Sequence, residues 1–116
     1  YLPVQEAAIA ALKLPDEWHA ERNQVYASRL ELAQAIMDAL GCTYSKDQVG
    51  MFLWARIPEK YTDVEDLTEK VLHEANVFLT PGFIFGTKGA RFIRISLCCN
   101  LEMLEQALQR IKSLDL

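Results

Sequence analysis

The chain has 116 residues, one domain's worth, and with 51% hydrophobic and 24% charged residues it can bury a core, which excludes a disordered chain. A formal charge of −4 without any basic run excludes a nucleic-acid surface of the usual kind. No stretch approaches the ~20 apolar residues of a bilayer span, and the N-terminus lacks the order of a signal peptide, so the chain reads as cytoplasmic with no membrane partner.

PVQEAAIAAL, residues 3–12, is rich in helix formers with proline in a tolerated first-turn position, and predicts a short helix that breaks at Leu14-Pro15. Pro15 suits the first turn of a second helix, with Asp16 and Glu17 near the positive end of its dipole. Tyr26, Leu30, Ala33, Met37 and Leu40 form its stripe, Val25, Leu32 and Ile36 widen it, and Gly41 ends it. About 26 residues make a rod of roughly 39 Å. Its polar first half, DEWHAERNQVYASR, is expected to lie against something outside the chain.

VGMFLWARIP, residues 49–58, is apolar on both alternating faces and ends at a proline, which predicts a strand covered on both sides. Thr62 and Glu65 fit a capping box for a helix that carries Val64, Leu67, Val71 and Ala75 on one stripe. NVFLT, residues 76–80, predicts a second strand, joined to the first through that helix by a right-handed parallel crossover. After the loop PGFIFGTKG, RFIRISLCC (91–99) predicts a third strand, and a helix capped by Asn100 turns Leu101, Leu104, Leu108 and Ile111 inward. The predicted fold class is α+β: a small three-stranded sheet layered with helices and preceded by a long helix, in a split-βαβ arrangement.

Arg94 stands among Phe92, Ile93, Ile95 and Leu97, where a permanently charged guanidinium needs a partner. Alternation puts Ile93, Ile95, Leu97 and Cys99 on a core face, and Phe92, Arg94, Ser96 and Cys98 on a mixed one. A planar fork of donors matches a carboxylate held by two parallel hydrogen bonds. The partner is either such a ligand or one of the chain's own sixteen acidic residues. The preceding loop is equally open: Gly82, Gly86 and Gly89 serve either a ligand's close approach or a tight connection. Thr87-Lys88-Gly89 reverses the order of a phosphate loop, so no nucleotide cradle is expected. Cys42, Cys98 and Cys99 lack metal spacing and read as buried reduced thiols; His19 and His73 lie on polar helix faces, so no metal site is expected.

The run NVFLTPGFIFGTKGARFIRISLCC resembles the C-terminal segment of the class I/II, fold-type I aminotransferases that use pyridoxal phosphate. The elements that carry the likeness are Pro81-Gly82, Phe85-Gly86, Gly89 and Arg94-Ile95-Ser96 in that order. GMFLWARIP is similar to the family's first small-domain strand, RNQVYASRLELAQAIMDALG to its interdomain helix, and YLPVQEAAIAAL to the helix before that. The resemblance implies three parts: residues 1–14 from the large-domain side, 15–41 as the interdomain helix, and 42–116 as the small substrate-carboxylate-binding domain. It implies that Arg94 grips the α-carboxylate of an amino-acid or 2-oxo-acid substrate, with Pro81, Gly82, Phe83, Phe85 and Gly86 as an active-site loop.

The same resemblance puts pyridoxal phosphate, its lysine and its phosphate anchors in a large domain, and implies a homodimeric parent. No catalytic and no cofactor-binding residue is expected in these 116 residues. Ser45-Lys46 looks superficially like the family's cofactor site, but DQVGMF follows it, so Lys46 is expected to be a solvated loop residue. The chain therefore reads as an enzyme's small domain, inactive alone. The alternative is a stand-alone module that binds an amino acid or a protein without chemistry.

Overall fold

The alanine-rich first segment, with Pro3 in its opening turn, forms α1 (Leu2–Leu12), and not one of its residues is buried. The structure, a computed structural model, describes residues 1–115. α2 (Asp16–Ala39) starts after Pro15, which is its N-cap at φ −69° and ψ 156° and not a first-turn residue. Asp16 and Glu17 occupy the first turn as expected. At the far end Gly41 adopts φ +69°, and its N–H and that of Cys42 donate to the carbonyls of Asp38 (3.0 Å) and Met37 (2.9 Å), the closing pair of a Schellman motif. Residues 16–24 are exposed, whereas Ala33, Ile36, Met37 and Leu40 are buried. The radius of gyration is 16.8 Å, against about 13 Å for a packed 100-residue globule. The excess comes from α1 and the bare half of α2.

β1 (Phe52–Arg56) pairs antiparallel with β3 (Phe92–Ser96), and β2 (Thr80–Pro81) pairs antiparallel with the other edge of β3, giving the order β1-β3-β2. β1 and β2 are thus parallel to each other, with β3 between them, and α3 (Val64–Ala75) connects them. That is the split βαβ unit. β2 is shorter than the expected strand over 76–80. Asn76 ends α3 in the left-handed conformation (φ 52°, ψ 42°), and only Thr80 and Pro81 reach the register opposite Arg94 and Ile93. The capping box of α3 lies one residue later than Thr62–Glu65. The Asp63 carboxylate accepts from Glu65 N–H (3.2 Å), and Asp66 Oδ2 accepts from Asp63 N–H (3.3 Å), which sets Val64 at the helix start with its side chain fully buried.

Leu53, Ala55, Ile93 and Ile95 cover one face of the sheet and pack with Ile36 and Met37 of α2, Leu67 and Val71 of α3, and Leu104 and Ile111 of the final helix, α4 (Leu101–Lys112). Asn100 caps α4 through Oδ1, which accepts from Met103 N–H at 2.9 Å. Leu101 is 41% exposed, a departure from its expected inward face. As first residue after the cap it lies beyond the stripe of Leu104, Leu108 and Ile111. β1 also departs from expectation, because only one of its faces joins the core: Leu53 and Ala55 are buried, while Phe52 and Arg56 are exposed and Trp54 half-buried. Its free edge is occupied by Gln48, whose side chain accepts from Trp54 N–H (2.9 Å) and donates to Trp54 O (2.7 Å).

The thiols divide. Cys42 is buried, and burial pushes its pKa up to about 12, whereas Cys98 is exposed and Cys99 half-buried because β3 ends at Ser96 and the chain turns. A thiol-directed reagent at mildly alkaline pH is expected to label Cys98 rapidly and Cys42 only after denaturation. Peptide mass mapping checks this, and equal labelling rates would contradict the burial of Cys42.

Candidate functional site

The uncovered face of the sheet is where the sequence placed its arginine. Strand register sets Trp54 opposite Arg94 and Phe52 opposite Ser96, so Phe52, Trp54, Arg94 and Ser96 share this face, with Thr80 beside Arg94 on β2. Cζ of Arg94 lies 4.2 Å from the Phe52 ring centroid and 4.3 Å from that of Phe85, which a 3₁₀ turn over Gly82–Phe85 brings across the sheet. Phe85 meets Trp54 edge-on, with centroids 5.4 Å apart at 71°. Among the described residues Arg94 has no ion pair, and its Nε is buried without a hydrogen-bond partner. An unmet charged donor is a destabilising feature, on the order of 1–3 kcal/mol or more.

Arg91, three residues earlier, shows what an internally satisfied arginine looks like here. It donates to the carbonyls of Tyr61, Thr62 (3.0 Å) and Pro58 (3.1 Å) and to Glu59 Oε2 (3.2 Å), tying the 58–62 loop to the start of β3. Arg29 on α2 has an unpartnered Nε too, but its Nη1 donates to Leu97 O at 2.9 Å. The contrast predicts opposite thermal behaviour. Arg91→Ala should lower stability by about 2 kcal/mol through its lost charge-assisted bonds, while Arg94→Ala should leave it within about 1 kcal/mol. Equal losses in calorimetry would mean that Arg94 is structural.

The loop residues separate by role. Gly82 and Gly89 press backbone to backbone: a Cβ on Gly82 would lie 2.4 Å from Gly89 O, and one on Gly89 2.0 Å from Gly82 O. Gly86 has open space around it but adopts φ +125°, which side-chain-bearing residues resist. The glycines therefore make the connection tight, and the tightness presents Phe83, Ile84 and Phe85 outward, at 41%, 57% and 51% exposure. Trp54, Gly82, Phe85, Lys88, Gly89 and Phe92 line a shallow hollow of about 300 Å³ on this side. A groove of about 420 Å³ also borders Arg94, but core-side Ile36, Ile95, Leu104 and Ala107 wall it.

The remaining candidates stay apart from this cradle. Lys46 is exposed in the turn before β1, His19 stacks edge-on with Trp18, and His73 pairs with Glu69 at 3.0 Å. No cluster of three metal-ligating side chains occurs among the described residues, and no helix is long and apolar enough to cross a membrane. Phe52 was not singled out by sequence. The signal was available in part: it shares an alternating face with Trp54, but only the antiparallel register puts that face beside Arg94.

Residues 2–111 match the family model described as aminotransferase class I and II. The LL-diaminopimelate aminotransferases of Oleidesulfovibrio alaskensis and Aquifex aeolicus are 42% and 35% identical to the chain, over 96% and 97% of its length but 28% and 29% of theirs. The apo structure of BacF from Bacillus subtilis superimposes with a TM-score of 0.77 at 33% identity, covering 97% of this chain and 29% of that one. The aromatic aminotransferase of Pyrococcus horikoshii also gives 0.77, at 31% identity over 94% of this chain and 30% of its own. The chain thus spans less than a third of the relatives it matches. On sequence and on fold, it belongs to the class I and II aminotransferase family.

Proposed function

We propose that the chain is the C-terminal small domain of an amino-acid aminotransferase and that Arg94 binds the α-carboxylate of the amino-acid and 2-oxo-acid substrates. The observation that carries this reading is the guanidinium itself, fixed on an open sheet face with a buried, unpartnered Nε and, among the described residues, no ion pair. A carboxylate in the plane of the guanidinium would meet that unmet donor capacity with two parallel, charge-assisted bonds. In this reading residues 15–41 link two domains, residues 42–116 form the small domain, and residues 1–14 lie against the large one. The exposed α1 and first half of α2 are surfaces that such a partner domain would cover. Closure of the small domain would carry Arg94 onto the substrate and exclude water from the reacting centre.

Pyridoxal phosphate, which supplies electron withdrawal from the substrate's α-carbon in this family, does not fit the residues described here. Lys46 and Lys88 are exposed in turns, and phenyl rings surround Arg94 where a phosphate would need further donors. The cofactor therefore belongs to the rest of a longer, homodimeric polypeptide, and these 116 residues alone are inactive. Several of the relatives, those of Oleidesulfovibrio alaskensis and Aquifex aeolicus among them, are LL-diaminopimelate aminotransferases, which makes a diamino dicarboxylic acid the first substrate to assay. Detection of the native polypeptide in its source cells tests the reading. A product well above the mass of 116 residues that co-purifies with amino transfer supports it; a product of this size that binds amino acids without transfer overturns it in favour of a stand-alone module.

A further inference from the structure

We infer that Phe52 and Phe85 are positioning residues for Arg94: two phenyl rings that clasp the guanidinium from β1 and from the glycine loop and orient its N–H edge toward a carboxylate. The inference rests on the proposed role of Arg94 and goes further by giving that loop a task. Ring faces attract the cation yet accept no in-plane hydrogen bond, so rings at 4.2 and 4.3 Å immobilise the ion while leaving its donors free. An acidic side chain in the same place would hold the arginine as well, but it would occupy the fork that the ligand needs. The described residues around Arg94 follow the first design, since its neighbours on this face are Phe52, Trp54, Phe85, Thr80 and Ser96, none of them acidic.

The clasp is itself supported. Phe52 is fixed by the ladder, where its neighbour Met51 accepts from Leu97 N–H at 2.9 Å. Phe85 packs edge-to-face with Trp54 and ends the 3₁₀ turn that the Gly82–Gly89 contact and the positive φ of Gly86 make possible. A flexible arginine loses rotamer freedom when it captures a ligand, and a pre-oriented one loses less. The clasp should therefore act on substrate binding far more than on chemical turnover.

The test compares Phe52→Leu, Phe85→Leu and Phe85→Tyr with Arg94→Lys in the intact aminotransferase that carries this domain. Each leucine variant is expected to raise the substrate KM about fivefold with kcat little changed, and Phe85→Tyr, which keeps the ring, to stay near the parent value. In this chain, ¹⁵N-resolved NMR should show the Arg94 Nε–H displaced upfield by the two rings, with the displacement reduced in each leucine variant. If Arg94→Lys raises KM while both leucine variants leave it unchanged, the clasp is refuted and the carboxylate role stands. If Arg94→Lys itself has no effect, both are refuted. A fall in kcat with an unchanged KM in the leucine variants, or an Nε–H resonance without ring displacement, would also overturn the inference.

Discussion

Arg94→Lys in the intact protein is expected to lower kcat/KM for amino-acid and 2-oxo-acid substrates by roughly tenfold to a hundredfold, chiefly through KM. Lysine keeps the charge but presents a point cation on a flexible stem, so the paired, in-plane bonds to a carboxylate are lost. A bond to a charged group contributes about 1.5–3 kcal/mol, and each 1.4 kcal/mol is a factor of ten. Folding should be spared, because among the described residues Arg94 makes no hydrogen bond or ion pair that lysine would fail to replace. Steady-state kinetics alongside thermal melting separates the two effects. Unchanged kinetics would remove Arg94 from the site.

The second large effect is on stability. Gly89→Ala is expected to cost more than about 3 kcal/mol, because a methyl 2.0 Å from the Gly82 carbonyl oxygen cannot be relieved by rotating a side chain and must separate two backbone segments. The loop would then lift Phe85 from Arg94, so substrate affinity should fall with stability. Gly86→Ala is a different case: space is open there, and only the backbone conformation resists, on the order of 1–3 kcal/mol. Chemical denaturation of both variants checks the order. A Gly89→Ala domain as stable as its parent would show that the two loop strands are not held in this contact.

Much of this architecture is legible in the sequence. The periodicity of α2, the cap at Asn100 and the alternation of β3 are local properties, and each element formed close to where its residues put it. What could not be read was mostly non-local. Apolar residues on both faces of 49–58 look the same whether the second face meets another layer in this chain or an aromatic loop and open space. The start of α3 shifted by one residue because Asp63 and Asp66 make a capping box as readily as Thr62 and Glu65. Arg94 was visible as a misplaced charge, but the absence of an acidic partner among the described residues and the approach of Phe52 and Phe85 depended on register and on the fold of the loop. The resemblance implies the proposed role of Arg94, and the ring contacts give a reason that an arginine can stand there without an ion pair among the described residues.

The most direct measurement is a crystal structure of the intact protein with a bound amino-acid substrate. The α-carboxylate is expected in the plane of the Arg94 guanidinium, with two N···O contacts of about 2.7–2.9 Å. A carboxylate bound elsewhere, with Arg94 turned to an acidic side chain, would contradict it.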